Sequence, residues 1–171
     1  ALTAARPTHI VPGMAFDIRP ARLADPAVRD LVGYHQRDML GASPPGTSFA
    51  LDVSGLSGPD VTLLGAWDND VLVGIGAMKR LSSNSAELKS MRTHSDHLGR
   101  GVARAILEEL IAIARSDGLA RLSLETGTND RFAPAIALYT RRGFVAGKAF
   151  AQYANGPHNQ CYHLDLGEAA A

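Results

Sequence analysis

Only one of the 171 residues is a cysteine, Cys161, so no disulfide can close within the chain and a reducing compartment is expected. Net charge is also missing, since 17 Lys and Arg residues balance 17 Asp and Glu. Without a basic excess, neither a nucleic acid nor an anionic membrane is expected as a partner. No apolar run approaches the roughly 18 residues that a membrane-spanning helix needs. The opening "ALTAARPTHIVPGMAF" lacks the basic-then-apolar order of a secretory signal, and a cytoplasmic location is expected. Met14 stands just before the first strand-like segment. Residues 1–13 are therefore expected to be a peripheral N-terminal extension, with a single domain over 14–171. Internal repeats and low-complexity tracts are absent as well.

What is present is a globular composition, 46% hydrophobic and 20% charged, of a size that suits one domain. "FDIRPA" (Phe16 to Ala21) reads as a short strand stopped by Pro20. A helix follows: Asp25 can cap it, Pro26 suits its first position, and Val28, Leu31 and Val32 recur at helical spacing. The prolines and glycines of "GASPPGTS" (Gly41 to Ser48) end it. "DVTLLGAW" and "DVLVGIGAMKR" read as a hairpin around Asp68 to Asp70, and Ser85 to Arg92 as a further strand. Val102, Ile106, Leu110 and Ile113 mark a second helix, ended by Gly118. "ARLSLET" is then a strand, "APAIALYTRRGF" a helix stopped by Gly143, and "QCYHLDL" a terminal strand. Strands and helices mix without regular alternation, which predicts an α/β fold with a mixed, largely antiparallel sheet flanked by helices.

The stretch "HLGRGVARAILEELIAIAR" (His97 to Arg115) puts two glycines immediately before the second helix. A helix start offers free N–H groups and partial positive charge, a site suited to phosphate. Gly99 and Gly101 would let a ligand approach the backbone, and Arg100 and Arg104 could add charge-assisted contacts. A plain helix cap is the competing reading. Two familiar nucleotide loops are excluded. A P-loop needs Gly-Lys-Ser/Thr where the chain has Gly101-Val102-Ala103, and Arg104 stands where a dinucleotide fingerprint needs Gly or Ala.

From Ala86 to Phe144 the chain resembles the central half of a GNAT-superfamily N-acetyltransferase, and nearly everything from Phe16 onward fits a bacterial branch of that superfamily. The superfamily motif Gln/Arg-x-x-Gly-x-Gly/Ala aligns with Leu98-Gly99-Arg100-Gly101-Val102-Ala103, with Leu98 departing from the usual leading residue. "AIALYTRRGF" resembles the superfamily segment in which an Ala precedes a Tyr and Gly-Phe follows it, with Phe132 where an Asn is often seen. The resemblance implies acetyl-CoA as co-substrate and direct attack of an amine on its thioester, with no metal.

On this resemblance, Met91, Arg92 and Thr93 are expected to contact the acyl carbonyl and pantetheine arm through the backbone. Helix-start amides over Leu98, Gly99, Arg100, Gly101, Val102 and Ala103 would hold the pyrophosphate, with Arg104 assisting. Tyr139 corresponds to the tyrosine that protonates or hydrogen-bonds the departing sulfur, and on residue pattern alone it also reads as a core aromatic. Glu87 is the expected general base; its alternative is a glutamate on the solvent face of an alternating strand. Glu125 is expected to bind the acceptor or organise the loop after it.

The acceptor side is expected to be formed by the first helix, the loop after it and late loops. It carries Tyr34, His35, Met39, Ser43, Pro44, Pro45, Phe49, Phe150 and Tyr153, an apolar and neutral mix without an acidic pocket for a polyamine. The acceptor is expected to be a small-molecule amine or an amino-acid-like compound, or else a peptide N-terminus. "HSDH" (His94 to His97) and the group His158, Cys161 and His163 lack the paired spacing of a zinc site and read as loop and strand residues. The alternative function is a non-catalytic acyl-CoA-binding or sensing module of the same fold. Homodimers are common among relatives of this type.

Overall fold

The computed structural model describes residues 16–42 and 54–167. The expected extension over residues 1–13 lies outside them, as do Ser43, Pro44, Pro45 and Phe49. Strand β1, Asp17–Pro20, leads to helix α1, Pro26–Ala42. Asp25 caps α1 by accepting the Ala27 amide at 3.0 Å. A hairpin follows, β2 (Val61–Asp68) and β3 (Val71–Arg80), turned through Asn69 at φ 53. Strand β4 is Ser85–Thr93, α2 is Val102–Ser116 and β5 is Arg121–Gly127. Then come α3, Ala133–Arg142, and two strands, β6 (Val145–Ala146) and β7 (Asn159–Asp165).

The seven strands form one sheet in the order β1-β2-β3-β4-β5-β7-β6. Every neighbouring pair is antiparallel except β4 and β5. The mixed, largely antiparallel sheet expected from the sequence is present. Strand β6, two residues long, was not anticipated. Two apolar clusters fill the molecule. Leu64, Val73, Met78 and Leu88 pack with Ile106, Leu107 and Leu110 of α2. The neighbouring side chains Leu63, Leu72, Ile75 and Ala77 alternate into the second cluster, against Val28, Leu31 and Val32 of α1.

Two features of this frame set the geometry of the site. The first is the close approach of α2 to the sheet over Gly74 and Gly76. A Cβ on Gly74 would come within 2.5 Å of Val102, and one on Gly76 within 2.5 Å of Ile106. Without side chains there, the start of α2 settles against β3 beside the end of β4. The second is a fork. The parallel ladder between β4 and β5 covers only Ser85 to Glu87 against Arg121 to Ser123. Beyond it the strands diverge, and a bulge in β4 shifts its register against β3, with Ser90 at φ 54.

Candidate active site

The fork opens a cleft of roughly 690 Å³ between the second half of β4 and β5. The glycine turn borders one part of it and α1 another. Gly99 and Gly101 have φ of 73° and 82°, the left-handed region that favours glycine, and Gly101 is the N-cap of α2 without a side-chain capping bond. A Cβ built on either glycine meets no protein atom within 4 Å, so the turn faces open space. Leu98, Val102, Ala103 and Arg104 line the same space. Leu98 is exposed.

The two arginines of the turn part company. Arg100 forms an ion pair with Asp68 at 2.8 Å, bonds His97 at 2.7 Å and lies over the Phe16 ring. Its guanidinium is thereby drawn to the end of β2 and is not among the groups lining the cleft. Of the two side chains expected to face a phosphate, the structure brings only Arg104 to the cleft wall.

Deeper in the fork the strands present titratable groups. Glu87 is buried, not on a solvent face, and Lys89, two residues further along β4, is buried beside it. The Glu87 carboxylate is 3.4 Å from Lys89 Nζ and accepts a hydrogen bond from the Tyr153 hydroxyl. Lys89 in turn donates to that hydroxyl at 2.9 Å. Burial first, then the bond to Glu87, pushes the Tyr153 phenol above its usual range, so it remains a donor. Glu125 faces the same space from β5. Burial pushes its carboxyl up to about 7, against a hydrogen bond from Asn159 and the charge of Lys89, and the Glu87 charge adds to the rise.

Tyr139 is buried on α3, edge-on to Phe144 at 5.6 Å between ring centroids, and it lines the cleft. Burial raises its phenol well above the ordinary value, which keeps it protonated. The ring belongs to the core, as the residue pattern suggests, and it also borders the cleft. Met91, Arg92 and Thr93 line the cleft on β4, along an edge that has no β5 partner beyond Glu87. Ser90 Oγ, on the same edge, is buried without a hydrogen-bond partner.

At the α1 side, His35 and Met39 also line the cleft. His35 Nδ1 accepts from Arg92 Nε at 2.9 Å. Burial, then the Arg92 charge, lowers the imidazole to about 4, so it is neutral with its proton on Nε2. Arg92 also reaches Asp38 at 2.8 Å, and Arg131 meets the other oxygen of that carboxylate at 2.5 Å. Burial opposes ionisation of Asp38, but the bonds and charges of Arg92 and Arg131 hold its carboxyl below the usual range. Asn129 Nδ2 donates to the Ala42 carbonyl at the end of α1, a second tie across the same side.

Met39, His35, Glu125 and Tyr153, expected on the acceptor side, therefore share one cleft with Glu87, Tyr139 and the glycine turn. Sequence reasoning missed Asp38, Lys89, Ser90 and Arg131. Only Lys89 carried a signal, its i, i+2 spacing from Glu87 on one strand. Among the described residues no cluster of three or more His, Cys, Asp or Glu side chains could hold a metal, and no helix is long and apolar enough to cross a membrane. A second groove, roughly 770 Å³, runs between β1, β2 and the later turns of α2, and gathers none of these residues.

Known proteins resemble this chain in sequence and in fold. Residues 29–144 match the family model described as Acetyltransferase (GNAT) family. The uncharacterized N-acetyltransferase YedL of Escherichia coli is 45% identical over 153 residues, which covers 90% of this chain and 96% of that protein. The uncharacterized N-acetyltransferase YsnE of Bacillus subtilis is 42% identical over 132 residues, 77% of this chain and 87% of that protein. Among solved structures, YncA of Salmonella typhimurium with its cofactor acetyl-CoA superposes with a TM-score of 0.65. Its identity is 21%, covering 91% of this chain and 96% of that one.

Proposed function

Since the chain belongs to the GNAT acetyltransferase family, we propose that this enzyme moves an acetyl group from acetyl-CoA to the amine of a small molecule by direct attack on the thioester. The observation that carries the reading is a single cleft with an open glycine turn in one wall and a half-buried carboxyl in another. Acetyl-CoA supplies an activated acetyl group.

The residues present fit that molecule. The empty space over Gly99 and Gly101 leaves the amides at the start of α2 accessible to a pyrophosphate, and Arg104 adds a cation. Leu98 brings no polar contact, so the grip rests on backbone amides. The unpaired edge of β4 through Met91, Arg92 and Thr93 offers backbone partners for the amide groups of the pantetheine arm. The orphaned Ser90 hydroxyl is one more buried group that a ligand would satisfy.

Proton management falls to three residues. The sequence reading gave the base role to Glu87, but the geometry favours Glu125. Glu87 is already held by Lys89 and Tyr153, whereas the Glu125 carboxyl, raised to about 7, is poised to take a proton near neutral pH. Glu87 then fixes the Tyr153 and Lys89 side chains beside the acceptor. Tyr139, held protonated by burial, donates to the departing sulfur. A thiol's reference pKa near 8.5 makes that assistance modest.

The test is thiol release from acetyl-CoA across a panel of amines. Saturable turnover with at least one amine supports the reading. Saturable CoA binding with no acetylated product from any amine would favour the non-catalytic acyl-CoA sensor.

A further inference from the structure

The charges of the cleft are not evenly distributed. In the fork, counted over the described residues, two carboxylates, Glu87 and Glu125, face one ammonium, Lys89, so negative charge outweighs positive by one whenever Glu125 is ionised. On the α1 side the balance is reversed. Among the described residues, two guanidiniums, Arg92 and Arg131, share the carboxylate of Asp38, leaving one positive charge in excess. The neighbouring His35 is neutral and does not alter this count.

The excess is accessible. The Arg131 side chain is 55% exposed, and its contact with Asp38 engages one terminal nitrogen of a five-donor fork. An incoming carboxylate could bridge the two arginines beside Asp38 and bring that side to neutrality. An ammonium arriving at Glu125 would do the same at the other.

We propose that the acceptor is an amino-carboxylate, its amine seated at Glu125 and its free carboxylate bound by Arg131 and Arg92. This rests on the acetyltransferase reading above and adds to it the class of acceptor. A peptide N-terminus, whose adjacent carbonyl is an uncharged amide, does not supply the second charge. Simple alkylamines do not either.

The experiment measures thiol release with matched acceptors: an α-amino acid, ω-amino acids of increasing length, their carboxamides, and the simple amines that lack the carboxyl group. For at least one chain length, kcat/KM for the free acid is expected to exceed that for its carboxamide by tenfold or more. Arg131→Gln should collapse this ratio toward one by raising KM for the acid, and Arg131→Lys should restore part of it. The KM for acetyl-CoA should move in neither variant. If Arg131 only straps α1 to the loop before α3, acid and carboxamide will lose activity in equal proportion, and the carboxylate site is refuted. If carboxamides or simple amines match the acids in the unmodified enzyme, the carboxylate site is likewise refuted while acetyl transfer stands. If CoA binds and no amine is acetylated, both readings fall.

Discussion

Lys89 and Glu87 lie 3.4 Å apart with side chains only 5% and 3% exposed, and the Tyr153 hydroxyl bridges them, taking a hydrogen bond from one and giving one to the other. A buried pair of this kind adds little net stability over an apolar pair, yet loss of one member strands a charge. Lys89→Met should therefore cost about 3–5 kcal/mol in urea unfolding. Adding Glu87→Gln to it should recover part of that loss. A double variant no more stable than Lys89→Met would mean that the two charges do not depend on each other.

His35 and Glu125 should act on stability with opposite signs. His35 is lowered to about 4 from 6.5, so between those pH values the unfolded chain binds the proton and stability rises with pH, by about 3 kcal/mol in all. Glu125 is raised to about 7 from 4.5, so in that window the folded chain holds the proton and stability falls as pH rises. Solvent around the half-buried Glu125 makes its share smaller. Between pH 4.5 and 6.5 the two slopes oppose. Glu125→Gln should steepen the rise with pH, and His35→Gln should turn it into a fall. Denaturation midpoints collected across this range decide the matter, and identical profiles for all three proteins would contradict both assignments.

The same carboxyl predicts a pH profile for catalysis. As base, Glu125 is competent only when ionised, so kcat/KM should climb as pH rises through about 7. Glu125→Gln should lower kcat by roughly 10²–10⁴-fold, while Glu87→Gln keeps the climb. A full-rate Glu125→Gln enzyme would return the base role to Glu87 or to water.

Gly101→Ala tests the phosphate cradle. The added methyl group meets no protein atom, so the folded chain should lose only the roughly 1–2 kcal/mol of a left-handed non-glycine residue. Affinity for CoA should fall at least tenfold, because the methyl group would occupy space reserved for the pyrophosphate. Calorimetric titration with CoA measures it directly; unchanged affinity removes the cradle.

Arg104→Gln and Arg100→Gln should separate cleanly. The first should weaken CoA binding, while the second breaks a surface ion pair with Asp68 and costs about 0–1 kcal/mol of stability. Loss of CoA affinity in both would show that Arg100 leaves Asp68 when the ligand binds.

Locally encoded features were legible in the sequence. The apolar spacing of Val102, Ile106 and Leu110 announces α2, and the glycines before it announce a turn that only left-handed backbone satisfies. Strand β6 escaped because two residues carry no period, and its existence depends on pairing with Tyr162 and His163. Side-chain partnerships across long separations escaped for the same reason. Arg100 is turned by Asp68, 32 residues earlier, and Arg131 by Asp38, 93 residues earlier. The solvent-face alternative for Glu87 arose because alternation predicts one wet face on a strand. In β4 every residue from Ala86 to Ser90 is buried, since both faces are covered.

The fork between β4 and β5 also has a consequence for how the backbone meets water. Amides in the middle of a seven-stranded sheet ordinarily exchange their hydrogens slowest of all. Here the inner edges beyond Glu87 and Ser123 have no ladder to each other, so the centre of the sheet contains a seam of labile amides. Exchange at those amides between Leu88 and Thr93 that point into the fork, and not toward β3, should slow when CoA is bound, a signal from the heart of the sheet that reports occupancy without any turnover.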